Sequence, residues 1–241
     1  MRSNSKTFKM GSRSRATTQS EIASLEEELH ELPLDPEFTD RQFDRIYDEN
    51  IRNLSKVHWT PVRVARRAAE LLSDGPQSKI LDVGSGPGKF CLVGALSTDA
   101  LFFGIERRKL LFDLSGQLAK RYKVSRAQFI LGDAAELDWS GFDGFYLYNP
   151  FYENISDPIR FEPLVALSED RYKKYVAMTQ AKLRDLPEGT RVVTFHGFGG
   201  ELPLAYRLSR EERFRDGILQ LWVKQASDLE VRLPPEIWSE Y

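Results

Sequence analysis

A chain of 241 residues with 41% apolar and 12% aromatic content can bury one sizeable hydrophobic core and carry an appendage. Its formal charge of −2 gives no bulk attraction to nucleic acid, and no apolar run approaches the roughly 18 to 20 residues of a membrane-spanning helix. A lone cysteine, Cys91, excludes a disulfide or cysteine metal cluster within this chain, and His30, His58 and His196 are too scattered for a zinc site, so a soluble cytoplasmic protein without metal or membrane partner is expected.

Residues 1–20 carry five basic side chains (Arg2, Lys6, Lys9, Arg13, Arg15), no acidic ones and many Ser and Thr, and read as a disordered tail. An organelle transit peptide shares the Arg/Ser bias but needs an apolar helical face that is missing here. From 21 to 50 the balance reverses, with eleven Asp or Glu against Arg41 and Arg45, and with Ile22, Leu25 and Leu29 at helical spacing. Residues 21–58 are therefore expected to form a helical cover over the functional side of a main domain spanning 59–241.

That domain opens with Thr60 as N-cap and Pro61 in the first turn of a helix whose Val62, Ala65, Ala69 and Leu72 share one face, ended by Gly75-Pro76. Short apolar runs at 79–83, 101–105, 127–131, 144–148 and 190–195 then read as strands buried on both faces. Segments 87–96, 109–122 and 168–186 between them read as helices. This alternation predicts an α/β fold: a mostly parallel, Rossmann-like seven-stranded sheet with helices on both faces. Segments 206–214 and 218–224, flanking Arg215-Asp216-Gly217, add an antiparallel C-terminal hairpin at one edge.

The densest signal is Ile80-Leu81-Asp82-Val83-Gly84-Ser85-Gly86-Pro87-Gly88-Lys89, a buried strand running into three alternate glycines and then a helix. Glycines there let the backbone turn tightly and approach a ligand without a Cβ in the way. Dinucleotide sites favour GxGxxG, whereas the third glycine here comes one residue early and Lys89 fills the later place, so the spacing leans away from NAD. The second strand ends in Gly104-Ile105-Glu106, where a carboxylate can accept both ribose hydroxyls. The third leads into Gly132-Asp133, where a second can accept an adenine amino group. Either acid alone could be a helix cap or a surface charge. Together they follow consecutive strands at the crevice where open α/β sheets bind ligands.

These residues resemble the class I methyltransferase family over roughly Thr60 to the C-terminus. The resemblance implies S-adenosyl-L-methionine as cofactor: Asp82, Gly84, Ser85, Gly86 and Gly88 would hold its methionine end, Glu106 the ribose and Asp133 the adenine. His58-Trp59-Thr60 would close over it, and Asn149 would border it. The fourth strand runs into Tyr148-Asn149-Pro150-Phe151-Tyr152, similar to the amine-methylating Asn-Pro-Pro-Tyr motif except that Phe151 replaces the second proline. The motif implies catalytic roles for Asn149, Pro150 and Tyr152: the Asn149 side-chain oxygen and the Pro150 carbonyl accept bonds from the target nitrogen, and Tyr152 packs on the acceptor. A looser similarity links Asn149 and Phe151 to the non-SET histone-lysine methyltransferases; for a lysine acceptor Tyr148, Tyr152, Glu153 or His196 could assist deprotonation.

His196-Gly197-Phe198-Gly199-Gly200 at the same sheet edge reads equally as an acceptor lid and as a plain connector, Cys91 as a packing residue, and Arg107-Arg108-Lys109 as a solvated helix start. The resulting expectation is methyl transfer to a nitrogen on a protein side chain, a nucleobase or a small amine. A non-catalytic cofactor-binding scaffold and a nucleotide-dependent oxidoreductase are the alternatives. The intact Asn149-Pro150 pair argues against the first and the glycine spacing against the second. The pattern holds no aromatic-basic array for single-stranded nucleic acid and does not define an oligomeric state.

Overall fold

The computed structural model describes residues 39–49, 51–52, 59–154 and 168–226. The expected 1–20 tail and most of the 21–58 cover lie outside the described residues, as do 227–241. Elements in chain order are α1 (Asp40–Phe43, continued by a 3₁₀ turn Asp44–Ile46), α2 (Val62–Leu72), β1 (Lys79–Val83), α3 (Lys89–Ser97), β2 (Leu101–Glu106) and α4 (Lys109–Arg121). There follow β3 (Ala127–Leu131), β4 (Gly144–Leu147), a 3₁₀ turn Tyr152–Asn154, α5 (Glu169–Asp185), β5 (Arg191–Phe195), β6 (Tyr206–Phe214) and β7 (Gly217–Lys224).

The seven strands form one sheet in the order β3-β2-β1-β4-β5-β7-β6, with the first five parallel and the β6–β7 hairpin antiparallel, as the alternation predicted. Because successive strand residues face opposite ways, neighbours divide between two cores. Ile80, Phe102, Tyr146 and Val193 pack under α2, α3 and α4, while Leu81, Phe103, Phe145 and Val192 pack with Leu183 and Val176 of α5 on the other face. Strand order reverses between β2–β1 and β4, and this places the carboxyl ends of β1, β2, β3 and β4 around one crevice.

Two local expectations are corrected. Thr60 does not cap α2: the boundary residue is Pro61, the Val62 N–H donates to Asp40 Oδ1 at 2.9 Å, and the Thr60 hydroxyl pairs with the buried Tyr146 hydroxyl at 2.8 Å. β3 is not buried on both faces. It is an edge strand with only β2 beside it, so Phe129 and Ile130 are half-buried and Leu131 is exposed. The opposite edge, β6, is guarded by exposed Arg207, Arg210 and Glu211, which discourage pairing with a further strand. Among the described residues no helix is long and apolar enough to cross a membrane.

Candidate functional site

The glycine turn is held from behind by β2, since the Gly84 and Ser85 N–H groups both donate to the Ile105 carbonyl at 3.0 Å. Gly84 and Gly88 have φ of 76° and 84°, in the left-handed region that glycine adopts without a Cβ penalty. A Cβ on Gly88 would lie 2.5 Å from the Phe129 ring. One on Gly84 would lie 3.3 Å from both the Pro150 Cβ and its carbonyl oxygen, so this turn and the β4 exit touch.

Glu106 is buried at the end of β2, and its carboxylate braces the turn: Oε2 accepts the Gly86 N–H at 2.9 Å. Oε1 accepts the Arg108 N–H at 2.9 Å and its Nε at 2.8 Å. Burial opposes ionisation, but the Arg108 guanidinium and the two backbone N–H groups outweigh it and hold the carboxyl below the ordinary glutamate value. The Arg107-Arg108-Lys109 cluster is thus only partly a solvated helix start: Lys109 pairs with Asp113 at the surface, Arg108 belongs to Glu106, and Arg107 lines the crevice.

At the β3 exit, Asp133 Oδ1 accepts the Ala135 N–H at 2.9 Å and Oδ2 accepts the Tyr175 hydroxyl from α5. The Phe151 ring stacks on Tyr175 with centroids 4.8 Å apart and planes at 15°. Burial and the Asp133 carboxylate together push the Tyr175 hydroxyl up to about 12. Asn149 follows β4 in a left-handed conformation (φ 41°), which its N–H secures by donating to the Gly197 carbonyl at 2.7 Å. The exits of β4 and β5 are thereby tied, and Tyr148 packs against His196.

Gly84, Glu106, Arg107, Asp133, Pro150 and Tyr175 line one open cleft, completed by Arg108, Phe151 and Asn154 among others. The remaining predicted residues stand around it. Ser85, Gly86 and Gly88 form the turn, and Trp59 Nε1 lies 3.9 Å from where a Gly86 Cβ would sit. Thr60 is drawn into the core by Tyr146, and Tyr152 is 45% exposed outside the cleft. Asp82 is buried behind the turn, receiving a contact from Cys91 Sγ at 3.8 Å. Its burial pushes the carboxyl up to about 8, against the pull of that Cys91 bond.

Four residues outside the predicted set shape the site: Tyr175, Phe151 as a stacking partner, Asn154, and Lys89. The buried Lys89 ammonium bonds Asp40 and Asp44 at 2.7 Å each, while the Tyr47 hydroxyl reaches the Pro87 carbonyl at 3.5 Å. The described stretch 39–47 therefore docks on the start of α3. The signal was Lys89 standing in the place of the third glycine of GxGxxG, with an acid-rich segment upstream.

No protein-family model matches the chain, and no curated protein does. Its fold is that of the class I S-adenosylmethionine-dependent methyltransferases. An RNA methyltransferase from Salinibacter ruber, solved with S-adenosyl-L-homocysteine, superposes with a TM-score of 0.51 at 22% identity over 75% of this chain and 99% of that one. TrmN from Thermus thermophilus gives 0.51 at 18% identity over 68% and 49%, and NSun6 from Pyrococcus horikoshii gives 0.51 at 16% over 68% and 52%.

Proposed function

We propose that this chain is an S-adenosylmethionine-dependent methyltransferase acting on a nitrogen. The observation that carries this reading is convergence: Gly84, Glu106, Asp133 and Pro150, from the exits of four neighbouring parallel strands, wall one cleft. The cleft suits an adenosyl group. It combines Gly84, where an added Cβ would meet Pro150, with an ionised Glu106 and the Asp133 side chain.

Bound S-adenosylmethionine would supply a sulfonium methyl group for in-line displacement. The 84–88 turn would hold the methionine portion, Glu106 the ribose and Asp133 the adenine, while Asp82 would steady the turn from behind. The Pro150 carbonyl beside Gly84 and the Asn149 side-chain oxygen would aim an acceptor lone pair. Orientation and exclusion of water supply most of the rate, so a strong general base is not required. Exposed Tyr152 would offer an aromatic surface to the incoming acceptor. Protein side chains, nucleobase amines and small amines all satisfy this arrangement.

Titration calorimetry with S-adenosylmethionine, S-adenosylhomocysteine and NADH tests the cofactor: heat with the first two and none with NADH is expected, and the reverse overturns the reading. Tritiated cofactor in cell extract, followed by nuclease or protease digestion, identifies the acceptor class by which treatment releases label. Asn149→Ala should abolish transfer and spare cofactor affinity; unchanged turnover removes Asn149 from its role.

A further inference from the structure

Four donors converge on the Glu106 carboxylate. Its Oε2 accepts the Gly86 N–H at 2.9 Å and Arg108 Nη2 at 3.0 Å, while its Oε1 accepts the Arg108 backbone N–H at 2.9 Å and Nε at 2.8 Å. An ionised carboxylate offers about four acceptor positions, so this one is fully engaged. Two of the donors are backbone groups fixed by the glycine turn and by the entry into α4, whereas the other two belong to a side chain that can rotate away. Glu106 and Arg108 both line the cleft, and their side chains are 2% and 20% exposed, so the guanidinium is the more accessible partner.

The guanidinium fork places one nitrogen on each carboxylate oxygen. A vicinal diol matches that pattern, since its hydroxyls stand on adjacent carbons and can donate one bond to each oxygen. Glu106 therefore has no acceptor position for a diol until the fork withdraws. After such an exchange the carboxylate again holds a full set of donors, and the Gly86 bond that braces the turn is untouched. Only the guanidinium gives up its partner, and that loss is subtracted from the binding free energy of the ligand.

We propose that Arg108 is an internal competitor for the ribose diol: its guanidinium holds the diol's place on Glu106, and an adenosyl ligand binds by turning it out. The proposal rests on the adenosyl-binding reading above and adds to it a residue that sets affinity by withholding the acceptor. A fork that stands open in about one molecule in ten weakens binding about tenfold.

Titration calorimetry on the full chain compares wild type with Arg108→Ala, each against S-adenosylhomocysteine and against its analogue lacking both ribose hydroxyls. Arg108→Ala should bind S-adenosylhomocysteine about tenfold more tightly than wild type does and the analogue within about twofold of wild type, because the gain requires the diol. Weaker or unchanged binding of S-adenosylhomocysteine by Arg108→Ala, or an equal gain for both ligands, overturns the proposal while the adenosyl reading stands. If neither protein binds S-adenosylhomocysteine, that reading falls and the proposal with it. Should Arg108→Ala not fold, Arg108→Lys carries the same cycle with a gain of the same sign, since it keeps the charge but cannot bridge both oxygens. An independent readout on wild type is the Arg108 Nε–H resonance by NMR, identified by its absence from Arg108→Lys. Its protection from solvent exchange should be lost on saturation with S-adenosylhomocysteine, and retained protection overturns the proposal.

Discussion

The Tyr175 hydroxyl donates to the carboxylate of Asp133, the residue assigned to the adenine amino group, and so satisfies part of that acceptor from across the crevice. Asp133 is already oriented by the Ala135 N–H, so the tyrosine proton occupies a lone pair rather than positioning the group. Tyr175→Phe keeps the stack on Phe151 and frees the acceptor. Affinity for S-adenosylhomocysteine should rise about threefold to tenfold by calorimetry, while the unliganded protein loses about 1 kcal/mol in urea denaturation. A fall in affinity would show that the hydroxyl orients Asp133 instead.

Glu106 braces Gly86 and pairs with the partly exposed Arg108, so its removal affects both the turn and an ion pair. Glu106→Gln should lower cofactor affinity at least tenfold and destabilise the unliganded protein by about 1 to 2 kcal/mol, because charge-assisted bonds from Arg108 become neutral ones. Calorimetry and urea melts read the two effects separately, and unchanged affinity would remove Glu106 from the ligand set.

Lys89 holds α1 and its 3₁₀ extension through Asp40 and Asp44, with only 3% of its side chain exposed. Lys89→Met should cost about 2 to 3 kcal/mol by removing the ammonium's bonds to Asp40 and Asp44, and adding Asp44→Asn should recover part of it. Additive losses in the double variant would mean that the pair does not couple.

Asp82 sets a pH dependence whose sign can be worked out. Burial raises its carboxyl from the ordinary 3.8 to about 8 in the fold, so between those values the native state holds a proton that the unfolded chain has released. Stability from this group is complete at low pH and is lost as pH rises from about 4 toward about 8, by up to about 1.4 kcal/mol per pH unit. Asp82→Asn should flatten thermal-melt midpoints across that window relative to wild type. Parallel wild-type and variant curves would refute the buried, protonated state.

Much of the architecture was legible in local patterns. Alternation of buried strands with amphipathic helices such as Lys109–Arg121 announced the sheet, and the Arg215-Asp216-Gly217 turn announced its final hairpin. The three glycines and the two acids one strand apart marked the crevice, because turn conformation and side-chain period depend on residues close in the chain. Thr60 misled for the same reason. A Thr-Pro pair is a good local cap, yet the Tyr146 hydroxyl, 86 residues away, claimed its side chain and Asp40 supplied the cap instead.

What the sequence determined by itself is the order of strands and helices, the place of the glycine turn and the edge on which the acids emerge, all consequences of short-range geometry. Tertiary structure alone decided that Tyr175 meets Asp133 across 42 residues, that Lys89 reaches Asp44 across 45, and that the Asn154 carboxamide is buried with one atom unmatched. Such pairings arise where separate elements pack. The free energy of burying a polar group depends on which neighbours the whole fold brings to it, and no window along the chain contains them.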